Sequence, residues 1–314
     1  MRIEFIYDLD QYGFVLWPLE QEFKKHEGVE ILVAKTRSKH EDVNASIAMQ
    51  NVAYDTPKGK AKRFFINHGV STKKWDINFK IDYFIAQSDY WADAMIGKPF
   101  NTIKNTGWPK TDVWLALLRD KENTRKEIVQ KYNLDPKKPI IACYPTYKKT
   151  KPKHGIPSWF RDFTFLECVN NIPADFSLFV LPHQMDNTAD FDDTGHAIKI
   201  TADYSWNRLK IAIAADVIIS DISGMAIEAC LLNKPIILIG DPLNKEKFSL
   251  EANPAKGVLN IGPIVQTQEL KTCIESVLSA DHYSDGRKFW ADKLLGPQDE
   301  KSCERIVTGI LNEL

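Results

Sequence analysis

Short runs of apolar, β-branched and aromatic residues alternate along this chain with longer stretches whose apolar positions recur at helical spacing. That is the sequence form of parallel sheets covered by helices. In the first half, strands are expected at residues 3–7, 30–34, 63–67, 83–86 and 102–105. Residues 14–26 place Phe14, Leu16, Trp17, Leu19 and Phe23 near helical spacing, with Pro18 expected in the first turn, and residues 88–96 read as a further helix. The stretch "NLDPKKP", residues 133–139, offers little to bury and breaks both patterns, so it is expected to link two lobes. Beyond it a second alternating set begins, with strands at 140–144, 177–181, 197–200, 217–220 and 235–239 and helices at 159–170, 205–214 and 223–232. Helices at 270–279 and 302–311 close the chain. The fold class is therefore α/β, with two Rossmann-like doubly wound parallel sheets. The expected division is residues 1–134, residues 139–284, and C-terminal helices at 285–314 that pack back on the first domain. Ligands of open parallel sheets bind beyond the carboxyl ends of the strands, so the loops there, facing a central cleft, are where chemistry is sought.

Composition narrows the class. At 314 residues, 44% hydrophobic and 26% charged, the chain is an ordinary globular protein of two-domain size. No run approaches the roughly 18 apolar residues of a membrane span. The amino terminus, "MRIEFIYD", reads as a first strand and not as a secretory signal, which gives cytoplasmic residence as the expectation. The five cysteines show no C-x-x-C spacing, so neither a disulfide framework nor a zinc site is expected; Cys143 and Cys230 lie in apolar segments where thiols act as small hydrophobes. A net charge of -1 argues against nucleic-acid partners. Positive charge is nonetheless concentrated: residues 56–74 and 144–154 carry lysines and an arginine without a single acid. Each is a solvated loop or a site for a localised anion, or a membrane surface for the second.

Candidate chemistry falls on the strand-end loops. In "FFINHGVSTKKW" a buried-type strand ends at His68 and Gly69, with Lys73 and Lys74 following. Glycine there lets the backbone approach a ligand, and an imidazole with an unperturbed pKa near 6.5, kept neutral by nearby cations, can take a proton from an attacking hydroxyl. His183, after the apolar run "SLFVLP", stands at the equivalent position of the second lobe. In "ADVIISDISGMAIEACLLNKPIILIG" a strand passes through Ser220, Asp221, Ser223 and Gly224 into a helix, and the free N–H groups of such a junction suit a phosphate. Glu228 on that helix sits among apolar neighbours and needs partners, either ribose hydroxyls or a lysine. "NTGWPKTDVW" brings Lys110 and Asp112 to a helix start, where Thr111 or Asp112 could also be a plain cap. "YPTYKKTKPKH" leaves a strand as a lysine-bearing loop that begins Tyr144, Pro145, Thr146 and includes Lys148. No Walker loop or G-x-G-x-x-G follows the first strand, which disfavours ordinary NTPase and dinucleotide chemistry.

The ordered motifs "NHGVSTKK", "TGWPKTDV", "YPTYKK", "LPH" and "SDISGMAIEACLLNKPIIL" resemble the CDP-glycerol glycerophosphotransferase family, the GT-B polyol-phosphate transferases of teichoic-acid and capsule synthesis. The resemblance spans residues 3–278. It implies a GT-B fold, with His68 and His183 as the catalytic pair and Ser223, Gly224 and Lys148 on the donor phosphates. Tyr144, Pro145, Thr146, Asp221 and Glu228 would line the nucleotide, and Gly69, Lys73, Lys110 and Asp112 the acceptor side. This chain departs from the family pattern in carrying Lys110 and Leu181 where arginines are usual, in reading Pro182-His183, and in its "DISG" turn. It also lacks an added amino-terminal membrane-associated region, giving the expectation of a compact soluble member.

The activity so implied moves a polyol phosphate from a CDP-linked donor to a hydroxyl of a cell-surface glycan or lipid-linked polymer. His68 serves as base, CMP leaves, and the enzyme works in the cytoplasm or peripherally at the inner face of the membrane. No Asp-x-Asp cluster stands out to hold a magnesium diphosphate, so no cofactor is expected to be required, with Mg2+ at most an assistant. Two alternatives stay open: a GT-B glycosyltransferase or 2-epimerase acting on a UDP-sugar, and a non-catalytic nucleotide-binding scaffold in polysaccharide assembly.

Overall fold

The computed structural model describes residues 1–7, 10–34, 42–49, 61–67, 80–145, 169–182, 196–200, 206–221, 223–240 and 260–314. Their chain forms two compact units. The first holds the described residues up to Ala116 together with Ala291–Leu314, and the second holds Leu117–Trp290.

The first unit is built on the parallel strands β1 (Arg2–Ile6), β2 (Glu30–Ala34), β3 (Ala45–Met49), β4 (Lys62–Ile66), β5 (Tyr83–Ile85) and β6 (Asn101–Ile103), in the order β2-β1-β3-β4-β5-β6. Five of these match the sequence expectation to within a residue or two. β3 does not, because "ASIAM" is too small-sided to signal a strand; its position between β1 and β4, buried at every residue, is what makes it one. Glu4 and Ser46 lie opposite each other in that register, both fully buried, and such polar residues blur the apolar pattern further.

Helix α1 (Asp10–Phe23) begins about one turn before the expected start and carries Pro18 in its interior. Proline there forfeits one ladder hydrogen bond, but Leu16, Leu19 and Phe23 are fully buried and Phe23 meets the edge of the Phe5 ring at 5.9 Å, so packing overrides the local cost. Helices α2 (Asp89–Ala94) and α3 (Pro109–Arg119) follow the sheet's later strands. The terminal helix, Ser302–Asn312, packs on α1, and Tyr83 donates its hydroxyl proton to Glu313 at 2.6 Å.

The second unit opens with α4 (Lys121–Lys131) and contains β7 (Ile140–Tyr144), β8 (Ser177–Val180), β9 (Ile198–Lys199), α5 (Asn207–Ala214), β10 (Val217–Ser220), α6 (Gly224–Glu228), β11 (Ile236–Ile239), β12 (Ile264–Val265) and α7 (Leu270–Ser279). Two more helices, α8 (Ser284–Leu295) and α9 (Ser302–Asn312), end the chain, α9 belonging to the first unit. The expected helix at 159–170 lies almost wholly outside the described residues.

All six described strands of this sheet are parallel, in the order β12-β11-β10-β7-β8-β9. Counted by appearance within the unit this is the 3-2-1-4-5-6 order of dinucleotide-binding folds, whose strand order reverses between β7 and β10. One sheet face buries Ile141, Cys143, Val217, Ile219, Ile237 and Ile239 against Leu270, Ile274 and Val277 of α7. On α4, Arg125 pairs with Asp216 at 3.0 Å and Glu127 with Lys210 at 2.6 Å, while Tyr132 stacks edge-on against Phe179 at 5.0 Å. Burial pushes the Cys230 thiol up to about 12, so it acts as an apolar side chain.

Lys234 precedes β11 and donates to the carbonyls of Ile213 and Ala215, the latter at 2.6 Å, at the carboxyl end of α5. Burial depresses its pKa to about 8 against the attraction of Asp216. Between that value and the unfolded lysine's roughly 10.4 the unfolded chain binds more protons, so this residue's contribution to stability rises with pH across the window. Denaturant titrations should therefore show the wild type gaining stability relative to Lys234→Met from pH 8 towards pH 10; a constant difference would exclude the linkage.

Candidate functional site

The reversal between β7 and β10 places their carboxyl ends side by side, with Tyr144 registered against Ser220. Their side chains share the face on which α5 packs. Ser220 donates its hydroxyl proton to the Tyr144 carbonyl at 2.7 Å, tying the two strand ends together. The Tyr144 hydroxyl turns under α5 and donates to the Arg208 carbonyl at 2.6 Å. Burial pushes this phenol well above the usual tyrosine range, with Arg208 pulling the other way, so it remains a neutral donor at any working pH.

Arg208 is the residue sequence reasoning missed. Its guanidinium lies 5.8 Å from the centre of the Tyr144 ring and donates to the carbonyl of Leu181 at 2.9 Å, so it stands over the carboxyl ends of both β7 and β8. The signal was available: in "NRLKIAIA" the helix is otherwise apolar on its buried side, with Leu209, Ile211, Ala212, Ile213 and Ala214 all buried, and an arginine at its first turn departs from that stripe.

The strand-to-helix junction after β10 is held by its own side chains. The Asp221 carboxylate, 2% exposed, accepts from the Ser223 N–H at 3.0 Å, and the Ser223 hydroxyl accepts from the Met225 N–H at 3.3 Å as the cap of α6. The helix expected over 223–232 is shorter than the pattern implied. It runs five residues as an α-helix and then tightens into a 3-10 turn, Ala229–Leu232, that ends on Asn233 in the left-handed conformation. Its field on an anion is accordingly that of a single turn of free N–H groups and not of a long dipole. Glu228 is 6% exposed at its end, and Pro145 is buried beside Tyr144.

In the first unit, the Lys110 ammonium lies 5.3 Å from the Trp108 ring centre. Asp112 reaches across to α9, accepting from the N–H groups of Ser302 at 3.1 Å and Cys303 at 2.9 Å. It caps that helix from outside, satisfying two of its orphan donors. The structure thus brings Tyr144, Pro145, Asp221, Ser223, Gly224 and Glu228 to one end of the second sheet, and sets Lys110 and Asp112 together in the first unit. His68, Gly69, Lys73, Thr146, Lys148 and His183 lie outside the described residues. A wide groove of about 770 Å³ lined by Lys62, Arg63, Asp82 and Asn101 sits at the opposite, amino-terminal ends of β4 to β6, where open parallel sheets do not bind their ligands. Among the described residues no group of three or more His, Cys, Asp or Glu is placed to hold a metal ion, and no helix is long and apolar enough to cross a membrane.

This architecture has known counterparts. The wall teichoic acid polymerase TagF superposes with a TM-score of 0.67 at 15% identity, over 99% of this chain and 89% of TagF. The UDP-GlcNAc 2-epimerase of Neisseria meningitidis, in a structure bound to UDP-GlcNAc, gives 0.63 at 12% identity over 99% of this chain and 100% of the epimerase. At such identities the likeness establishes the fold, which is GT-B, and nothing further. In sequence, the teichoic acid glycerol-phosphate primase of Bacillus subtilis (strain 168) is 28% identical over 237 residues, 74% of this chain; the match spans 58% of the primase, so this chain corresponds to little more than half of that protein. The family model of CDP-glycerol:poly(glycerophosphate) glycerophosphotransferases matches residues 23–312. With that match covering nearly the whole chain, the protein belongs to the CDP-glycerol:poly(glycerophosphate) glycerophosphotransferase family.

Proposed function

We propose that the protein transfers glycerol phosphate from CDP-glycerol to a hydroxyl of a teichoic-acid-like or other cell-surface glycan acceptor and releases CMP. The observation that carries this reading is the Tyr144, Arg208 and Ser220 arrangement at the reversal point of the second sheet, in a chain of this family. A form of TagF soaked with CDPG has the same fold, which supports the choice of donor. In this reading the nucleotide lies across the ends of β7 and β10, with Glu228 taking ribose hydroxyls. The diphosphate lies between Arg208, the Ser223 and Gly224 turn, and Lys148. Tyr144 is then a positioning residue: its buried hydroxyl fixes the backbone of Arg208 and its ring supports the guanidinium. His68 removes the proton of the acceptor hydroxyl, which attacks the β-phosphorus in line, and His183 with the lysines steadies charge on the transferring and departing phosphates. Lys73 and Lys110 hold the acceptor side. The protein's own cations carry the electrostatic work, Mg2+ being dispensable, and the reaction takes place at the cytoplasmic side of the membrane.

The test is to incubate the protein with CDP-glycerol, CDP-ribitol and UDP-sugars, with phosphorylated and lipid-linked acceptors, and to identify the nucleotide released. CMP from CDP-glycerol is the expected product; UDP or UMP without CMP would assign the chain to the sugar-transferring or epimerising relatives of the same fold. In the same assay Arg208→Met is expected to weaken donor saturation about tenfold or more, since a charge-assisted contact to phosphate contributes on the order of 1.5–3 kcal/mol. Arg208→Lys should recover part of it. An unaltered KM for donor in Arg208→Met would remove this residue from the site.

A further inference from the structure

The loop of residues 105–108 in the first unit crosses the ends of β4 and β5. There the Trp108 indole N–H donates to the Asn67 carbonyl at 3.2 Å and the Gly107 N–H to the Gln87 carbonyl at 2.8 Å. Gly107 has φ +75 and faces Ser302 so closely that a side chain would collide with it, and Gly296, also at φ +75, is pressed against the Gln87 carbonyl in the same way. The backbones of Asn67 and Gln87 are thus clamped on several sides.

Their side chains are not. Asn67 is 0% and Gln87 1% exposed, yet all four of their carboxamide atoms, two nitrogens and two oxygens, lack any hydrogen-bonding partner in the protein. Among the described residues no other buried carboxamide is left with both atoms unpaired. Buried polar groups are almost always paired, and those that are not call for an explanation in function. Asn67 directly follows β4 and Gln87 lies two residues past β5, at the carboxyl ends of adjacent parallel strands, the side of the sheet that receives ligands. In the sequence Asn67 directly precedes His68. A carboxamide is uncharged and offers donors and an acceptor together, the complement of a hydroxyl and not of a phosphate.

We propose that Asn67 and Gln87 are polyol-recognition residues of the acceptor side, their carboxamides taking the hydroxyls of a terminal glycerol unit on the polymer being extended. The proposal rests on the glycerophosphotransferase reading above. Unmade hydrogen bonds raise the free energy of the arrangement seen here, which lowers the cost of any rearrangement that admits a hydroxyl.

The experiment compares the full chain with Gln87→Met and Asn67→Leu, using sn-glycerol 3-phosphate and a short glycerol-phosphate oligomer as probes. The apolar variants should melt at the same temperature as the wild type or higher, because they delete unpaired groups. The upward shift that glycerol 3-phosphate gives the wild-type midpoint should disappear in them, and their KM for the oligomer should rise more than tenfold. An equal shift and an equal KM in all three proteins would mean that ordered water fills the place of the hydroxyls, and would overturn the inference while leaving the transferase reading intact. Absence of CMP release by the wild type would instead overturn that reading itself. If a variant does not fold, the side-chain NH2 resonances of Asn67 and Gln87 in ¹⁵N-labelled wild type decide the matter: both must move on titration with glycerol 3-phosphate, and stationary signals refute the assignment.

Discussion

His68→Ala is expected to lower kcat by about 10²–10⁴-fold, the range a positioned general base supplies, which corresponds to roughly 3–5 kcal/mol of transition-state stabilisation. The expectation follows from where the chain leaves β4. Phe64, Phe65 and Ile66 are buried to 1% or less, and the Asn67 carbonyl is held by the Trp108 indole, so the backbone that delivers His68 starts from a rigid anchor. A base must be neutral to act, so kcat/KM of the wild type should climb with pH to a plateau, and this limb should vanish in His68→Ala. Donor affinity, which the proposal assigns to residues of the second unit, should change little. A variant retaining full turnover would show that this histidine carries no chemistry and would favour a non-catalytic nucleotide-binding scaffold. His183→Ala provides the companion measurement, with loss of kcat but retention of the pH limb.

The largest stability effect is expected at Arg287. This guanidinium, 0% exposed on α8, makes a bidentate pair with Asp281, and it donates to the Asn233 side chain at 3.3 Å and to the Ile261 carbonyl at 3.3 Å. It therefore joins α8 to the left-handed turn before β11 and to the segment before β12. Removing the buried guanidinium leaves the Asn233 and Ile261 oxygens without their donor and the Asp281 carboxylate, 23% exposed, to water, at a cost of about 1–3 kcal/mol. Arg287→Met should lower the unfolding free energy of the second unit by that amount in urea titration; a loss under about 1 kcal/mol would mean the surrounding groups find water. Burial raises the Asp281 pKa, but the hydrogen bonds and charge of Arg287 outweigh it and hold the carboxyl below its ordinary value. A depressed carboxylate contributes stability above its unfolded pKa, near 3.9, and loses it as pH falls through the folded value. The gap between wild type and variant should thus narrow only below about pH 4.

Much of the architecture is legible in the chain itself. β7 and β10 are apolar up to their last residues, Tyr144 and Ser220, because both faces of a parallel sheet are covered, and such runs announce themselves. β3 does not, being recognisable only once β1 and β4 flank it, and Pro18 hides the true start of α1 because a local rule is overridden by the burial of Leu16 and Leu19. The short α6 reads as a long helix for a similar reason: the residues of its 3-10 turn, Ala229–Leu232, are apolar and buried, and periodicity does not separate the two helix types.

The site divides along the same line. Sequence alone determined the alternating architecture and the motifs at the strand ends, because side-chain alternation and turn chemistry are local properties. The Ser220 to Tyr144 bond, the placing of Arg208 over the ends of β7 and β8, the use of Asp112 as a cap for a helix 190 residues away, and the unpaired carboxamides of Asn67 and Gln87 were decided only by tertiary structure. Each depends on which strands become neighbours. That order is set by long-range pairing and burial, which no window of the chain contains.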